Sequence, residues 1–436
     1  MAKSIARTMG RDLYQATHLD CDSCISVAFN IHYIYTLKGD FMLTEHTIAT
    51  VKSTVPLLAE NGQAITQEFY KKLFANNPDL QHIFNMANQR SGGGGQSSAL
   101  ADAVFAYAKN IDQIEVLVPA VQRIASKHAS IGIEPKHYPI VGENLIAAIQ
   151  DVLQLPDNHE ALTAWEEAYG VLAQIFTDTE ESMYSEKEAQ PGGWRGFRSF
   201  TIDQIVEETP EVKSFYLKPT DGGAICAYSG GQYLGIKLTG TGDSYDEIRQ
   251  YSLSSWGTED YYRISVKAET QGAASQQLHQ CAVGDTVELS APNGQFMLNK
   301  DAPKHVFISG GVGITPLFSM LKEALASGIS AENVQFVECC RSAEHQIFHQ
   351  ELAELQKSSG LDLRRAFEFG EGADWAGYLT ADILDKWLTD KTAHVYFCGP
   401  MPFMSALKGI LNSIGFADDQ LHYEVFGPTT ELPATH

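Results

Sequence analysis

The apolar residues of this chain change their period twice, and that change constrains the fold more than any other feature. From Thr44 to about Tyr184 they recur every three or four positions, the spacing of one helical face. The segment "TEHTIATVKSTVPLLAENG" opens on a Thr cap and closes at Gly62, and "AITQEFYKKLFANNP" stops at Pro78. "SSALADAVFAYAKNI", "VLVPAVQRIASKH", "HYPIVGENLIAAIQDVL" and "EALTAWEEAYGVLAQIFTDTEESMY" follow. Six or so amphipathic helices with short connections make one all-α domain.

At "SEKEAQPGGWRGFRSF" the composition turns to Gly, Pro and charge, which marks a linker. Beyond it, "RSFTIDQIVEE", "VKSFYLKP", "GQYLGIKLTG", "YYRISVKAE" and "DTVELSAP" alternate apolar and polar residues between turn signals, predicting an antiparallel barrel. After Asn299, strands such as "HVFISG", "NVQFVECC" and "HVYFCG" alternate with helices such as "TPLFSMLKEALAS" and "MPFMSALKGILNSIG". That alternation predicts a parallel sheet in a doubly wound α/β domain. The division expected is an extension over 1–41, a helical domain over 42–185, a linker over 186–194, a barrel over 195–300 and a doubly wound domain over 301–436. The length agrees, because 436 residues at roughly 150 per domain make about three.

Charge and cysteine usage narrow the partners. A formal net charge of -23 and a pI near 4.9 oppose binding to nucleic acid or to an anionic membrane surface. No apolar run approaches the ~20 residues of a membrane helix, and "ISVAFNIHYIYTL" is shorter and carries Asn and His. The cysteines at 21, 24, 226, 281, 339, 340 and 398 are odd in number and thinly spread. Such a set fits free thiols in a reducing compartment and predicts a cytoplasmic protein. Cys21 and Cys24 form a lone CxxC without a second pair, a weak sign of zinc or redox work. Lys3, Arg7 and Arg11 read as a solvated basic start rather than a transit peptide.

Four residues of the helical part sit awkwardly on apolar faces. Leu117, Val121, Ile124 and His128 share one face, so His128 is either a satisfied core residue or a ligand. Tyr70 shares a face with Leu73 and Phe74, and its hydroxyl needs a buried partner. Glu180 continues a face with Ala173 and Phe176, where a lone carboxylate is expensive. Tyr138 heads the next helix, and the four together suggest a buried polar cluster. His82 and His137 are weaker ligand candidates: one precedes the Phe84 corner and the other opens a helix.

In the other half, the strand "HVFIS" runs into Gly310, Gly311 and Gly313, and a helix starts near Pro316. Glycines there bring backbone N–H groups close to a pyrophosphate at the positive helix end. Pro316 suits a first helical turn, where its missing donor costs nothing. In "RQYSL", Arg249 offers a donor fork suited to phosphate, Tyr251 a ring face and Ser252 a hydrogen bond.

"RQYSL", "GAAS", "GGVGITP", "CGP" and "YEVFGP" occur in that order, and the set resembles the ferredoxin–NADP reductase superfamily over roughly residues 195–430. The resemblance implies FAD on the barrel, held by Tyr233, Arg249, Gln250, Tyr251, Ser252, Gly272 and Ser275. It implies NAD(P)H on the doubly wound domain, held by Gly311, Gly313, Thr315, Pro316, Cys398, Gly399 and Pro400. Phe426 would cover the flavin ring, with Glu424 beside it.

"ITQEFYKKLF", "IFNMANQR", "IASKHASIGI", "HYPIVGE" and "AWEEAYGVLA" resemble the globin segments of the flavohaemoglobins, in which a globin is fused to such a reductase. The fold this implies is multidomain: an all-α globin, an antiparallel β-barrel FAD domain and an α/β doubly wound NAD(P)-binding domain. By the same resemblance His128 is the proximal ligand of haem b iron, with Tyr138 and Glu180 in the proximal network. Tyr70, Gln96 and Leu100 line the distal pocket, Phe84 packs on the porphyrin, and Lys127 lies near the haem–flavin contact. Two departures stand out: "NQRSGGGGQSSAL" is about two residues longer than the family pattern, and residues 1–41 have no counterpart in it. Met42 falls where the pattern begins.

The activity implied is nitric oxide dioxygenation, in which NAD(P)H reduces FAD, FAD reduces the iron, and NO and O2 become nitrate. The expected partners are O2, NO and NAD(P)H, with no nucleic acid and no stable membrane partner, and the chain is expected to act as a monomer. Two rivals are a reductase of ferric iron, quinones or alkyl hydroperoxides, and an O2- or NO-sensing globin. Fusion to a complete electron source disfavours sensing. "VECCRSAE" offers Glu338 for a ribose hydroxyl and Arg341 for a phosphate, leaving NADH and NADPH both open.

Overall fold

The computed structural model describes residues 43–84, 94–239, 245–258, 260–427 and 432. The expectations for residues 1–41, for Cys21 and Cys24 and for the start of the glycine-rich loop lie outside the described residues.

Among the described residues six α-helices build the first domain: α1 (Glu45–Ser53), α2 (Val55–Asn76), α3 (Gly94–Lys109), α4 (Val118–Ser130), α5 (His137–Leu153) and α6 (Glu160–Glu188). Thr44 caps α1 by accepting from the Thr47 N–H at 3.0 Å. The expected helix end at Gly62 is incorrect. The break falls at Thr54, and α2 runs unbroken through Gly62 to Asn76. Pro56 lies in the first turn of α2, the one helical position where a missing N–H is harmless. Thr54 fixes the corner, donating to the Val51 carbonyl at 2.7 Å and accepting from Trp165 Nε1 at 3.2 Å. Gly62 lies inside α2 where α3 passes close: a Cβ there would lie 3.3 Å from the Ala101 Cβ. Phe69, Leu73, Leu145, Ile149 and Trp165 form the main core, and Val121, Ala125, Ile175 and Phe176 form a smaller one between α4 and α6.

The barrel comprises β1 (Phe197–Thr209), β2 (Val212–Pro219), β3 (Tyr233–Leu238), β4 (Glu247–Ser252), β5 (Tyr262–Lys267) and β6 (Thr286–Ser290). Their order is β4-β3-β6-β1-β2-β5, with every neighbouring pair antiparallel. The Leu253–Ile264 bridge joins the two ends, so the sheet closes on itself. Helix α7 (Ala273–Gln280) follows β5.

The third domain has β7 (His305–Gly310), α8 (Ile314–Ala326), β8 (Val334–Cys340), α9 (His349–Ser359), β9 (Asp362–Phe367), β10 (Trp375–Ala376), α10 (Ala381–Trp387), β11 (His394–Cys398), α11 (Met401–Ser413) and β12 (Leu421–Tyr423). The order β10-β9-β8-β7-β11-β12 is parallel throughout. The winding reverses between β7 and β11. Ligands of such sheets bind in the crevice beyond the strand C-termini at that point. Both glycine motifs end there, Gly311–Gly313 after β7 and Gly399 after β11. Among the described residues no helix is long and apolar enough to cross a membrane.

Candidate functional site

His128 lies in the last turn of α4 and faces α6. Its Nδ1 is 2.7 Å from Glu180 Oε1 and 3.1 Å from the Tyr138 hydroxyl. Tyr138 donates to the same carboxylate oxygen at 2.5 Å. A carboxylate only accepts, so Nδ1 carries the ring proton and Nε2 keeps its lone pair. That nitrogen has no protein partner among the described residues, and the His128 side chain is 30% exposed. Glu180 is buried, as the sequence requires of a carboxylate that continues an apolar face. Burial, and after it the charge of Glu180, pushes the Tyr138 hydroxyl far above its ordinary value. The Phe176 ring supports both partners, 5.5 Å from the His128 ring and stacked at 6.3 Å on Tyr138. Tyr169 anchors α6 to α5 by donating to the Tyr138 carbonyl at 2.7 Å.

Tyr70 is buried on α2 among Phe69, Phe74 and Phe84, with its ring 5.9 Å edge-on to Phe84. Its hydroxyl hydrogen-bonds the Gln96 side chain, and burial raises its pKa against that bond. Leu100 packs on the same core. An imidazole with one ring nitrogen held by a carboxylate and the other free to bind metal fits a haem iron. The aromatic pocket around Tyr70 fits the apolar macrocycle. The weaker histidine candidates are engaged otherwise: His82 Nδ1 accepts from the Asp246 N–H at 3.1 Å, and His137 Nδ1 from the Glu134 N–H at 3.0 Å.

On the barrel, β3 and β4 pair Tyr233 with Ser252 and Leu234 with Tyr251. Burial raises the pKa of both tyrosines, Tyr233 and Tyr251. Arg249 on the same strand pairs with the buried Glu247 carboxylate and donates to the Ile248 carbonyl at 2.9 Å. Gly272 precedes α7, and Ser275 Oγ donates to the Gly272 carbonyl at 3.0 Å while accepting from the Glu269 N–H at 3.1 Å. Two aromatic faces, a hydroxyl, a guanidinium and a helix start fit a flavin with its pyrophosphate. Gln250 turns elsewhere, donating to Ser130 Oγ of the helical domain at 3.2 Å.

At the crevice of the third domain, Gly311 has φ +53 and opens on free space, so a phosphate can approach its backbone. Gly313 is packed so tightly that a Cβ would sit 2.2 Å from the Cys398 carbonyl oxygen. Thr315 Oγ1 donates to the Val312 carbonyl at 3.0 Å, Pro316 lies in the first turn of α8, and Pro400 precedes α11. Cys398 is fully buried, its thiol pKa well above normal through burial and then the charge of Glu424, and Sγ donates to the Glu424 carbonyl at 3.4 Å. These groups fit a dinucleotide. Glu338 is buried and accepts from Gln346 Nε2 at 2.8 Å, whereas Arg341 pairs at 2.6 Å with Glu211 of the barrel.

The candidate sites converge where the domains meet. Lys127, next to His128, donates from Nζ to the Gly427 carbonyl at 3.2 Å. Burial pushes the Glu424 carboxyl up to about 8, against the pull of Lys127. Phe426 stands 48% exposed beside them. Gln295 of the barrel donates to Ser126 Oγ on α4 at 3.1 Å. Gly235 has no room for a side chain, because a Cβ would lie 1.8 Å from the Ser130 carbonyl. Sequence reasoning missed the roles of Ser126, Ser130, Gly235, Gln295 and Asp246. Ser126 and Ser130 lie inside a globin-like segment and Gly235 inside an alternating strand, but neither pattern shows that these positions face another domain.

Residues 67–176 match the Globin family model, 199–298 the Oxidoreductase FAD-binding domain and 307–409 the Oxidoreductase NAD-binding domain. The chain is 41% identical to the flavohemoprotein of Halalkalibacterium halodurans over 409 residues, which is 90% of this chain and 99% of that one. It is 42% identical to flavohemoprotein A of Dictyostelium discoideum over 405 residues, 89% of this chain and 100% of that one. The crystal structure of flavohemoglobin from Malassezia yamatoensis, with bound FAD and haem, superposes with a TM-score of 0.79 at 25% identity, covering 88% of this chain and all of that one. Fold and sites define a globin joined to a flavin- and nicotinamide-binding reductase. The chain belongs to the flavohaemoprotein family, and it is an NAD(P)H-dependent oxidoreductase whose groups are haem and FAD.

Proposed function

We propose that this chain is a nitric oxide dioxygenase, which converts NO and O2 to nitrate with electrons from NAD(P)H. The observation that carries the reading is the His128–Glu180 contact of 2.7 Å. A histidine whose other nitrogen donates to a carboxylate is held in one tautomer and made more basic, which favours activation of O2 over its reversible carriage. When bound, the haem supplies an iron that takes O2, and FAD accepts a hydride and releases electrons singly.

His128 would hold the iron through Nε2, while Glu180 and Tyr138 keep the imidazole in place. Tyr70 and Gln96 would offer hydrogen bonds to a ligand of the iron, and Phe84 would pack against the apolar group. Arg249 with Gly272 and Ser275 would hold the flavin phosphates, while Tyr233, Tyr251 and Ser252 would hold its ring. Gly311, Gly313, Thr315, Pro316, Cys398, Gly399 and Pro400 hold NAD(P)H. Lys127, Glu424 and Phe426 border the junction of the flavin and haem sites. The free thiols at Cys226, Cys281, Cys339, Cys340 and Cys398 support a reducing, cytoplasmic setting. One chain carries all three sites and works as a monomer.

A nitric oxide electrode tests the reading. NO consumption should require both NAD(P)H and O2, and it should outpace reduction of ferric citrate, a quinone or an alkyl hydroperoxide by the same protein. NO consumption equally fast without O2, or slower than reduction of those acceptors, contradicts it.

A further inference from the structure

Arg263 on β5 is a cation with 2% of its surface exposed, set at the seam between the barrel and the doubly wound domain. On the barrel side, Nε donates to the Ser254 carbonyl at 3.2 Å, and NH2 donates to the same oxygen. Ser254 follows Ser252, the end of the strand expected to hold the flavin, by two residues. Across the seam, NH1 donates at 2.5 Å to Glu351 in the first turn of α9. The Phe348 ring lies 4.5 Å from the guanidinium and is itself stacked at 4.7 Å on Phe318 of α8. Phe348 holds a left-handed backbone, φ +60, that an aromatic residue rarely adopts, so packing over-determines its position.

These contacts close a circuit. Glu351 also accepts from Lys322 of α8 at 3.3 Å, and Ser319 of α8 donates to the Ser255 carbonyl at 2.6 Å. The strand that ends the flavin strip is therefore tied by two routes to the helix that begins at Gly313. A planar guanidinium fixes direction as well as distance, unlike a lysine point charge. Swinging the third domain away would strand a buried cation without its carboxylate.

We propose that Arg263 is a positioning residue for hydride transfer. Through Ser254, Glu351 and Phe348 it sets the separation of the nicotinamide and flavin sites, without touching either group. Near-attack geometry makes transfer rates steeply sensitive to such placement.

The test uses the full-length protein loaded with haem and FAD, and the variants Arg263→Met and Glu351→Gln. Anaerobic stopped-flow mixing with NADH should show the limiting rate of flavin reduction reduced about tenfold or more in Arg263→Met, because small displacements of reacting atoms cost that much. The dissociation constant for NADH should stay within about twofold, since the phosphate cradle lies wholly in the third domain. Hydrogen exchange should speed up at residues 348–352 and 254–255, with the barrel core unchanged. If Arg263→Met fails to retain FAD, Glu351→Gln decides in its place, with a smaller fall of about threefold expected from weakening one charged hydrogen bond. An unchanged limiting rate in the deciding variant, a loss confined to the dissociation constant, or unaltered exchange at residues 348–352 overturns the proposal.

Discussion

At His128 the proposed chemistry turns on which ring nitrogen carries the proton, and Glu180, 52 residues away, accepts from Nδ1. The sequence announced both residues by their misfit on apolar faces, but only folding shows that they meet. Tyr70 is the counterpart proposed to hydrogen-bond a ligand of the iron. A hydrogen bond to a charge-bearing acceptor contributes about 1.5–3 kcal/mol. At about 1.4 kcal/mol per decade, Tyr70→Phe should weaken O2 binding ten- to a hundredfold, seen mainly as faster O2 dissociation after flash photolysis. Because Gln96 bonds the same hydroxyl, unaltered dissociation in Tyr70→Phe would assign the ligand contact to Gln96. Glu338 gives a prediction of a different kind. Burial raises its pKa from 4.5 to about 7, against the pull of Gln346 and Arg365. Between those values the folded chain holds a proton that the unfolded chain has lost, so stability falls as pH rises through that window and levels off above it. Urea midpoints measured across the window without nucleotide should show this slope in the wild type and a shallower one in Glu338→Gln, where the raised Glu424 carboxyl still contributes. Equal slopes would contradict the assignment.

The elements were legible wherever their own period was long enough to read. The long helices and the barrel strands announce themselves, but β10 has only two residues, too few to show any alternation. Gly62 misled because a glycine within a helical pattern can mark close packing as well as a helix end, and here α3 packs against it. Proline is the stronger signal, since it constrains the chain whatever lies nearby. Gly313 shows the same logic in the reductase. Its motif was evident in the sequence, but its tight contact with β11 was not. A methyl group at Gly313 would strike the Cys398 carbonyl and force β7, α8 and β11 apart. Overpacking of this kind typically costs about 1–3 kcal/mol, so Gly313→Ala should weaken NADH binding about tenfold while FAD content stays unchanged. Fluorescence titration with NADH checks this, and wild-type affinity would show that the crevice gives way without loss.

For the whole molecule, three domain types could be read from period and motif, but their docking could not. The Lys127–Gly427 contact spans 300 residues, and Gln295–Ser126 spans 169. Only the family resemblance places Lys127 near this junction, and no linear pattern pairs it with Gly427, or Gln295 with Ser126. The helical domain nevertheless keeps cores of its own, whereas the core under the doubly wound sheet takes in Val212 and Phe296 of the barrel, which predicts haem chemistry separable from flavin reduction. His128→Ala should lose haem yet retain FAD and NAD(P)H-driven reduction of an artificial acceptor. Loss of flavin reduction in that variant would show the halves to be interdependent. The central claim, that the two halves together turn NO into nitrate, is tested most directly by product stoichiometry. Adding O2 to NO to give nitrate takes up one electron, and NAD(P)H supplies two. The purified protein, given NO, O2 and limiting NAD(P)H, should therefore form two nitrate ions per NAD(P)H oxidised. NAD(P)H oxidation without nitrate, or with peroxide or superoxide as the main product, would contradict it.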